Sequence, residues 1–158
     1  MIRTQSPALM ARIEARTAKV GVVGLGYVGL PLALTFGEQG FPVLGLDIDR
    51  TKVDALSEGR SYLKTVGSPR VARARSGDRF EFSSDFSRLA SADAIIICVP
   101  TPLTEAREPD LTFIERSAEA VAGVLRPGQL VVLESSTYPG TTNEVVRPIL
   151  EATGLKAG

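Results

Sequence analysis

One short segment limits the possible folds of this chain more than any other. Gly24-Leu25-Gly26-Tyr27-Val28-Gly29 follows directly on an apolar run and opens a stretch of helical period. Between a strand and a helix the three glycines have separate uses: Gly24 permits a tight turn, Gly26 lets the backbone come close to a ligand, and Gly29 lets the helix pack closely on the strand. A helix beginning there offers unpaired N–H groups and the positive end of its dipole, which together suit a phosphate or pyrophosphate. Residues 20–37 carry no charge and have roughly the length of a marginal membrane span. Gly21, Gly24, Gly26, Gly29, Gly37 and Pro31 argue against one long helix, so the stretch is read as strand, turn and helix.

The rest of the chain repeats that alternation. Strand-length apolar runs fall near 19–24, 42–47, 79–83, 94–99 and 129–134, and Ile95, Ile96, Ile97 and Val99 mark the fourth as a buried central strand. Helical segments are expected at 29–39, 50–58, near 85–90, at 110–125 and at 141–152, with Asp110 and Thr141 as N-caps. This is an α/β pattern, a Rossmann-like doubly wound parallel sheet of about five strands with flanking helices, the sixth strand of the full arrangement being absent. Residues 1–18 are expected to form a leading helix with Ser6 as N-cap and Pro7 in its first turn, suited to packing or oligomer contact. Residues 19–158 are expected to form the dinucleotide-binding domain, the front part of a longer enzyme. Segment 59–78 has no assigned element, and its Arg60, Arg70, Arg73 and Arg75 are read as a solvated face.

Composition narrows the chemistry. Eighteen Lys+Arg balance eighteen Asp+Glu, so there is no net charge to drive binding to nucleic acid or to a membrane surface. There is no histidine and only one cysteine, Cys98, which removes histidine acid/base catalysis, His-Cys zinc sites and any intramolecular disulfide. Arg3, Arg12, Glu14 and Arg16 are not followed by the unbroken apolar stretch of a secretory leader, so a cytoplasmic location is expected.

Asp47 closes the second apolar run eighteen residues after Gly29, where a carboxylate can accept from a ribose 2′-OH. That favours NAD over NADP, whose 2′-phosphate would face Asp47 and Asp49, although Arg50 and Lys52 are near. Two further segments leave the carboxyl ends of strands, where such sheets hold ligands. In Val99-Pro100-Thr101-Pro102-Leu103 two prolines stiffen the exit, which could hold Thr101 against a cofactor or could be a plain turn. The run from Glu134 through Ser135, Ser136, Thr137 and Tyr138 to Thr141 and Thr142 offers hydroxyls for a nicotinamide, a ribose or a water, or for capping the next helix.

Four ordered stretches, GLGYVGLPLA from Gly24, DID from Asp47, CVPTPL from Cys98 and ESSTYPGTT from Glu134, resemble the N-terminal NAD-binding domain of the UDP-glucose/GDP-mannose dehydrogenase family. The wording of these motifs, with RIEAR from Arg12, is similar to the branch acting on UDP-N-acetylglucosamine or UDP-N-acetylmannosamine. The resemblance implies a nucleotide-sugar 6-dehydrogenase that oxidises the C6 alcohol of a UDP-sugar to a carboxylate, using two NAD, in polysaccharide precursor biosynthesis. It implies cofactor contacts along Gly24, Leu25, Gly26, Tyr27, Val28, Gly29, Asp47, Lys52, Val99, Pro100, Thr101, Pro102, Leu103, Ser136, Thr137 and Tyr138, and a water held by Thr137. It also implies a nucleophilic cysteine in a later domain, a UDP-sugar bound mostly by absent domains, a homo-oligomeric full-length protein, and a chain inactive by itself. Cys98 lies inside an apolar strand and is read as a buried hydrophobe. The competing readings are the cofactor domain of another NAD-dependent hydroxy-acid dehydrogenase and a non-enzymatic NAD-sensing module.

Overall fold

The computed structural model describes residues 7–105 and 107–157. Five strands, β1 (Val20–Val23), β2 (Val43–Leu46), β3 (Phe80–Ser83), β4 (Ala94–Ile97) and β5 (Leu130–Leu133), form one parallel sheet in the order β3-β2-β1-β4-β5. The expected five-stranded doubly wound sheet is therefore present, with the chain reversing its direction of travel between β1 and β4.

Helices α1 (Pro7–Glu14), α2 (Gly29–Glu38), α3 (Arg50–Ser57), α4 (Ser68–Arg75), α5 (Thr112–Ala122) and α6 (Arg147–Glu151) surround it, with a 3₁₀ turn at Phe86–Ser91. Because side chains alternate along a strand, β1 feeds two cores. Val20 and Val22 pack with Val43, Ile96 and Cys98 beneath Leu30, Ala33 and Leu34 of α2. On the opposite face Val23, Leu44, Leu46, Ile95 and Ile97 pack with Leu89, Ala92 and Val121. Burial on both faces is why β1, β2 and β4 read as unbroken apolar runs, each buried Val, Leu or Ile contributing roughly 1.5–3 kcal/mol of transfer free energy.

Segment 59–78 contains α4, which sequence periodicity did not disclose because Val71 is its only buried residue. Its arginines lie on the surface as expected, and Arg70 forks onto Glu38 at 2.6 and 2.8 Å. Two expectations about caps are revised. Thr141 does not cap the last helix; its hydroxyl donates to the Tyr138 carbonyl at 2.9 Å. The last helix is also interrupted, a π turn at Thr142–Val146 preceding α6, since Pro148 has no N–H with which to continue an even ladder. Nor is Asp110 the N-cap of α5: the helix begins at Thr112 with Leu111 in the cap position, and Asp110, one residue before it, accepts from the Thr112 N–H at 2.9 Å. Ser6, expected to cap α1, lies outside the described residues.

The register decides where chemistry can occur. Val23 of β1 lies level with Leu46 of β2 and Ile97 of β4, and Ile97 is level with Leu133 of β5. The next residue of each strand, Gly24, Asp47, Cys98 and Glu134, therefore stands at one edge of the sheet. At the opposite edge, the carboxylate of buried Asp93 accepts from the Lys19 N–H at 2.8 Å and pairs with Arg12 at 2.7 Å and Arg126 at 3.0 Å, which fastens α1 to the start of β4.

Candidate functional site

A cleft of about 790 Å³ opens at the carboxyl edge of the sheet. Its floor is the glycine turn. Gly24 has φ of 90°, and a Cβ there would lie 2.5 Å from the Cys98 carbonyl oxygen, so both the turn and the strand contact require glycine. A Cβ at Gly29 would collide with the Gly24 carbonyl oxygen and stand 3.1 Å from the Cys98 Cβ, so the start of α2 is pressed against β4. Gly26 differs from both, since nothing lies within 4 Å of the Cβ it lacks and it lines the open cleft. Among the described residues the N–H groups of Gly26, Tyr27 and Val28 have no protein acceptor. Free donors and an open approach are what a pyrophosphate needs at a helix N-terminus.

Asp47 stands beside this floor and is only 6% exposed. Its Oδ2 accepts from the Leu25 N–H at 3.0 Å and from Lys52 Nζ at 3.3 Å, and its Oδ1 accepts from the Asp49 N–H at 2.9 Å. A carboxylate has about four acceptor positions, so one remains for an incoming hydroxyl. Asp49 is occupied as the N-cap of α3, taking the Thr51 N–H at 2.9 Å and its hydroxyl at 2.6 Å. The Thr51 bond accordingly lowers its pKa.

The two loops expected to flank a ligand are joined to each other. Thr101 donates its hydroxyl to the Ser136 carbonyl, and Ser135 donates to the Val99 carbonyl at 2.8 Å. These hydrogens are spent within the protein, so Thr101 offers a ligand its lone pairs and the backbone around it. Thr137 Oγ1 lies 2.9 Å from Thr141 Oγ1. Since the single Thr141 hydrogen goes to Tyr138, Thr137 is the donor in that contact, and its own lone pairs are left unused as acceptors.

Of the residues singled out from sequence, Gly24, Gly26, Tyr27, Val28, Asp47, Lys52, Val99, Pro100, Thr101 and Ser136 line the cleft. Leu25 sends its side chain into the core and Gly29 is buried under the turn, so any contact from either is through the backbone. Pro102 and Leu103 begin a hairpin held by Thr104 N to Glu108 O and Asp110 N to Pro102 O, both 2.8 Å, outside the cleft lining. Thr137 and Tyr138 also lie outside it. One wall was not anticipated. It consists of Ile48, which is 75% exposed, Phe86, and the Phe113, Arg116, Ser117 and Ala120 face of α5. The helical residues' spacing of three, four and seven puts them on one face, but with Arg116 and Ser117 among them that face carries no apolar period, the core stripe of α5 being Ile114, Ala118 and Val121.

Cys98 touches the cleft but is 6% exposed. Burial, then the Glu134 carboxylate, pushes its thiol up to about 11, which keeps it protonated and unreactive at neutral pH. The native protein should therefore show no thiol reactive toward a disulfide reagent at pH 8, and one per chain after denaturation. Rapid reaction of the native thiol would contradict this inert role.

The sequence profile of the UDP-glucose/GDP-mannose dehydrogenase family, NAD binding domain, matches residues 18–157. This chain belongs to the UDP-glucose/GDP-mannose dehydrogenase family. It is 38% identical over 133 residues to a UDP-N-acetyl-D-glucosamine 6-dehydrogenase of Pseudomonas aeruginosa, a match covering 84% of this chain and 31% of the relative. It is 34% identical over 141 residues to a UDP-N-acetyl-D-mannosamine dehydrogenase of Pyrococcus horikoshii, covering 89% and 34%. A crystal structure of a ternary complex of GDP-mannose dehydrogenase from Pseudomonas aeruginosa superposes with a TM-score of 0.84 at 32% identity, over 88% of this chain and 33% of that one. The chain thus spans about a third of the length of these family members, and the part it spans is the family's NAD-binding domain. Among the described residues no helix is long and apolar enough to cross a membrane.

Proposed function

We propose that this chain binds NAD in the cleft described above and serves as the cofactor domain of a nucleotide-sugar 6-dehydrogenase acting on a UDP-N-acetylhexosamine. The observation that carries the proposal is the row of unpaired N–H groups at Gly26, Tyr27 and Val28, beside an Asp47 with one acceptor position open. The turn would take the pyrophosphate, Asp47 with Lys52 the adenosine ribose, and the joined loops at Val99 to Thr101 and Ser135 to Ser136 the nicotinamide end. Two NAD bound in turn would each take up, as hydride, two of the four electrons removed in oxidising the sugar alcohol to a carboxylate.

Thr137, whose lone pairs are left free by its bond to Thr141, is suited to accept a hydrogen from a water and so hold that water's own lone pair toward the sugar carbon. The proposed domain arrangement is a leading segment over 1–18, in which helix α1 covers Pro7–Glu14 rather than the whole segment, and the NAD-binding domain over 19–158. The covalent cysteine and most UDP-sugar contacts are assigned to other parts of the enzyme, which is proposed to be homo-oligomeric and cytoplasmic. The relatives named for UDP-N-acetyl sugars support that substrate class.

The test is calorimetric titration of the chain with NAD and NADP. NAD should bind at least about tenfold more tightly, because a 2′-phosphate would be placed against Asp47 and Asp49. Equal affinities, or no NAD binding, would remove the basis of the proposal. Assay of the longest product of this reading frame against a panel of UDP-sugars would identify the sugar.

A further inference from the structure

We infer that Tyr62 is a positioning residue for the glycine turn, holding the Leu25–Gly26 peptide so that the Gly26 N–H faces the cleft. Tyr62 belongs to the segment between α3 and α4, for which the sequence suggested no role, and its hydroxyl donates to the Leu25 carbonyl. That carbonyl and the Gly26 N–H belong to one peptide plane. Among the described residues no peptide bond is cis, and in a trans peptide the two groups point in opposite directions. Tyr62 is not among the residues lining the cleft, whereas Gly26 is. A bond that pulls the carbonyl back toward Tyr62 therefore turns the N–H forward.

The preceding peptide is held independently, by the Leu25 N–H on Asp47 Oδ2 at 3.0 Å. Both peptides flanking Leu25 are thus pinned by side chains from other parts of the chain. Beyond the packing of the buried Leu25 side chain, a turn built on three glycines gains from such pins, because glycine loses the most conformational freedom on ordering. Fixing the donors in advance lowers the ordering cost that a ligand would otherwise bear.

The surroundings of Tyr62 keep it a donor. Burial raises its pKa well above the usual phenol value, and the carboxylates of Asp47 and Asp49 raise it further. The ammonium of Lys52 lies 5.9 Å from the ring centroid, within cation–π range, so the same ring that anchors the turn also keeps Lys52 beside Asp47.

The inference rests on the reading of the cleft as a pyrophosphate site, and the test separates the two. Wild type, Tyr62→Phe and Tyr62→Leu are titrated with ADP-ribose while the backbone amide resonances are followed, with thermal midpoints measured alongside. Tyr62→Phe keeps the ring and loses only the hydroxyl. It should displace the Gly26 amide resonance in the free protein and weaken ADP-ribose about fivefold, the usual worth of one hydrogen bond, with resonances remote from the turn unchanged. Tyr62→Leu should bind no more tightly than Tyr62→Phe. Wild-type affinity in Tyr62→Phe, or an undisturbed Gly26 amide, overturns the inference. If wild type itself fails to bind ADP-ribose, the proposed function falls, and the Gly26 resonance alone then decides the role of Tyr62.

Discussion

Alanine at Gly29 is expected to destabilise the domain by about 3 kcal/mol or more, whereas alanine at Gly26 is expected to leave stability within about 1 kcal/mol of wild type and to cost the protein its ligand. Both glycines belong to one motif, and the difference lies in what a methyl group would meet. At Gly29 it meets the Gly24 carbonyl oxygen, and the Gly24 carbonyl carbon at 3.0 Å. That carbonyl shares a peptide plane with the Leu25 N–H, which is held by Asp47 Oδ2 at 3.0 Å, and the peptide before it is held by the Gly24 N–H bond to Leu46 O at 2.8 Å, so it cannot swing aside. Relief would require α2 to move off β1, opening the packing of Leu30, Ala33 and Leu34. At Gly26 the methyl group meets nothing within 4 Å and projects into the cleft. Overpacking of a ligand contact by one carbon corresponds to roughly 10- to 100-fold in affinity. Denaturant midpoints and NAD calorimetry on the two variants test the pair. Wild-type NAD affinity in Gly26→Ala would move the site away from the turn, and wild-type stability in Gly29→Ala would deny the close contact of helix and strand.

The contrast also explains why so much of the fold was legible. The positive φ of Gly24 and the contact of Gly29 with the Gly24 carbonyl arise within six residues, so that part of their meaning can be read from spacing alone, whereas their contacts with Cys98 come only from the assembled sheet. The strands were legible for the same local reason, although each was expected one or two residues too long. Cys98 illustrates the excess: its N–H still reaches Val23 O at 2.7 Å, but the regular pairing ends at Ile97 as the chain turns toward Pro100. Helix α4 was illegible because its stability comes from Val71 and from Arg70 reaching Glu38, neither of which produces a period in the sequence.

In the site, the line formed by Gly24, Asp47 and Glu134 was legible because parallel strands in register bring their ends together. The partners of the hydroxyls were not. Thr101, Ser135 and Tyr62 bond carbonyls 35, 36 and 37 residues away, at distances set only by the completed sheet. Arg116 was not found for a different reason: the sequence marks the helix that carries it, but not that the face holding Phe113, Arg116, Ser117 and Ala120 borders the cleft.

Asp47→Ala should reduce NAD affinity on the order of 100-fold while reducing NADP affinity much less, so that the preference between them nearly disappears. Two separable losses combine in that figure. The Leu25 and Asp49 N–H groups lose their acceptor, which costs about 1–3 kcal/mol for each donor left dry and less where water enters from the cleft. That loss loosens the turn and affects both dinucleotides alike. The second loss, of the open acceptor position and of the charge facing a 2′-phosphate, penalises NAD and relieves NADP. Asp47→Asn separates the two, because its amide oxygen can still take one backbone N–H while its NH2 group cannot accept the other. It should retain more stability than Asp47→Ala and yet lose most of the discrimination. Should both variants weaken NAD and NADP by equal factors, Asp47 would be a tie for the turn and nothing more, and selection of the cofactor would have to be sought in Asp49 and Lys52 at the mouth of the cleft.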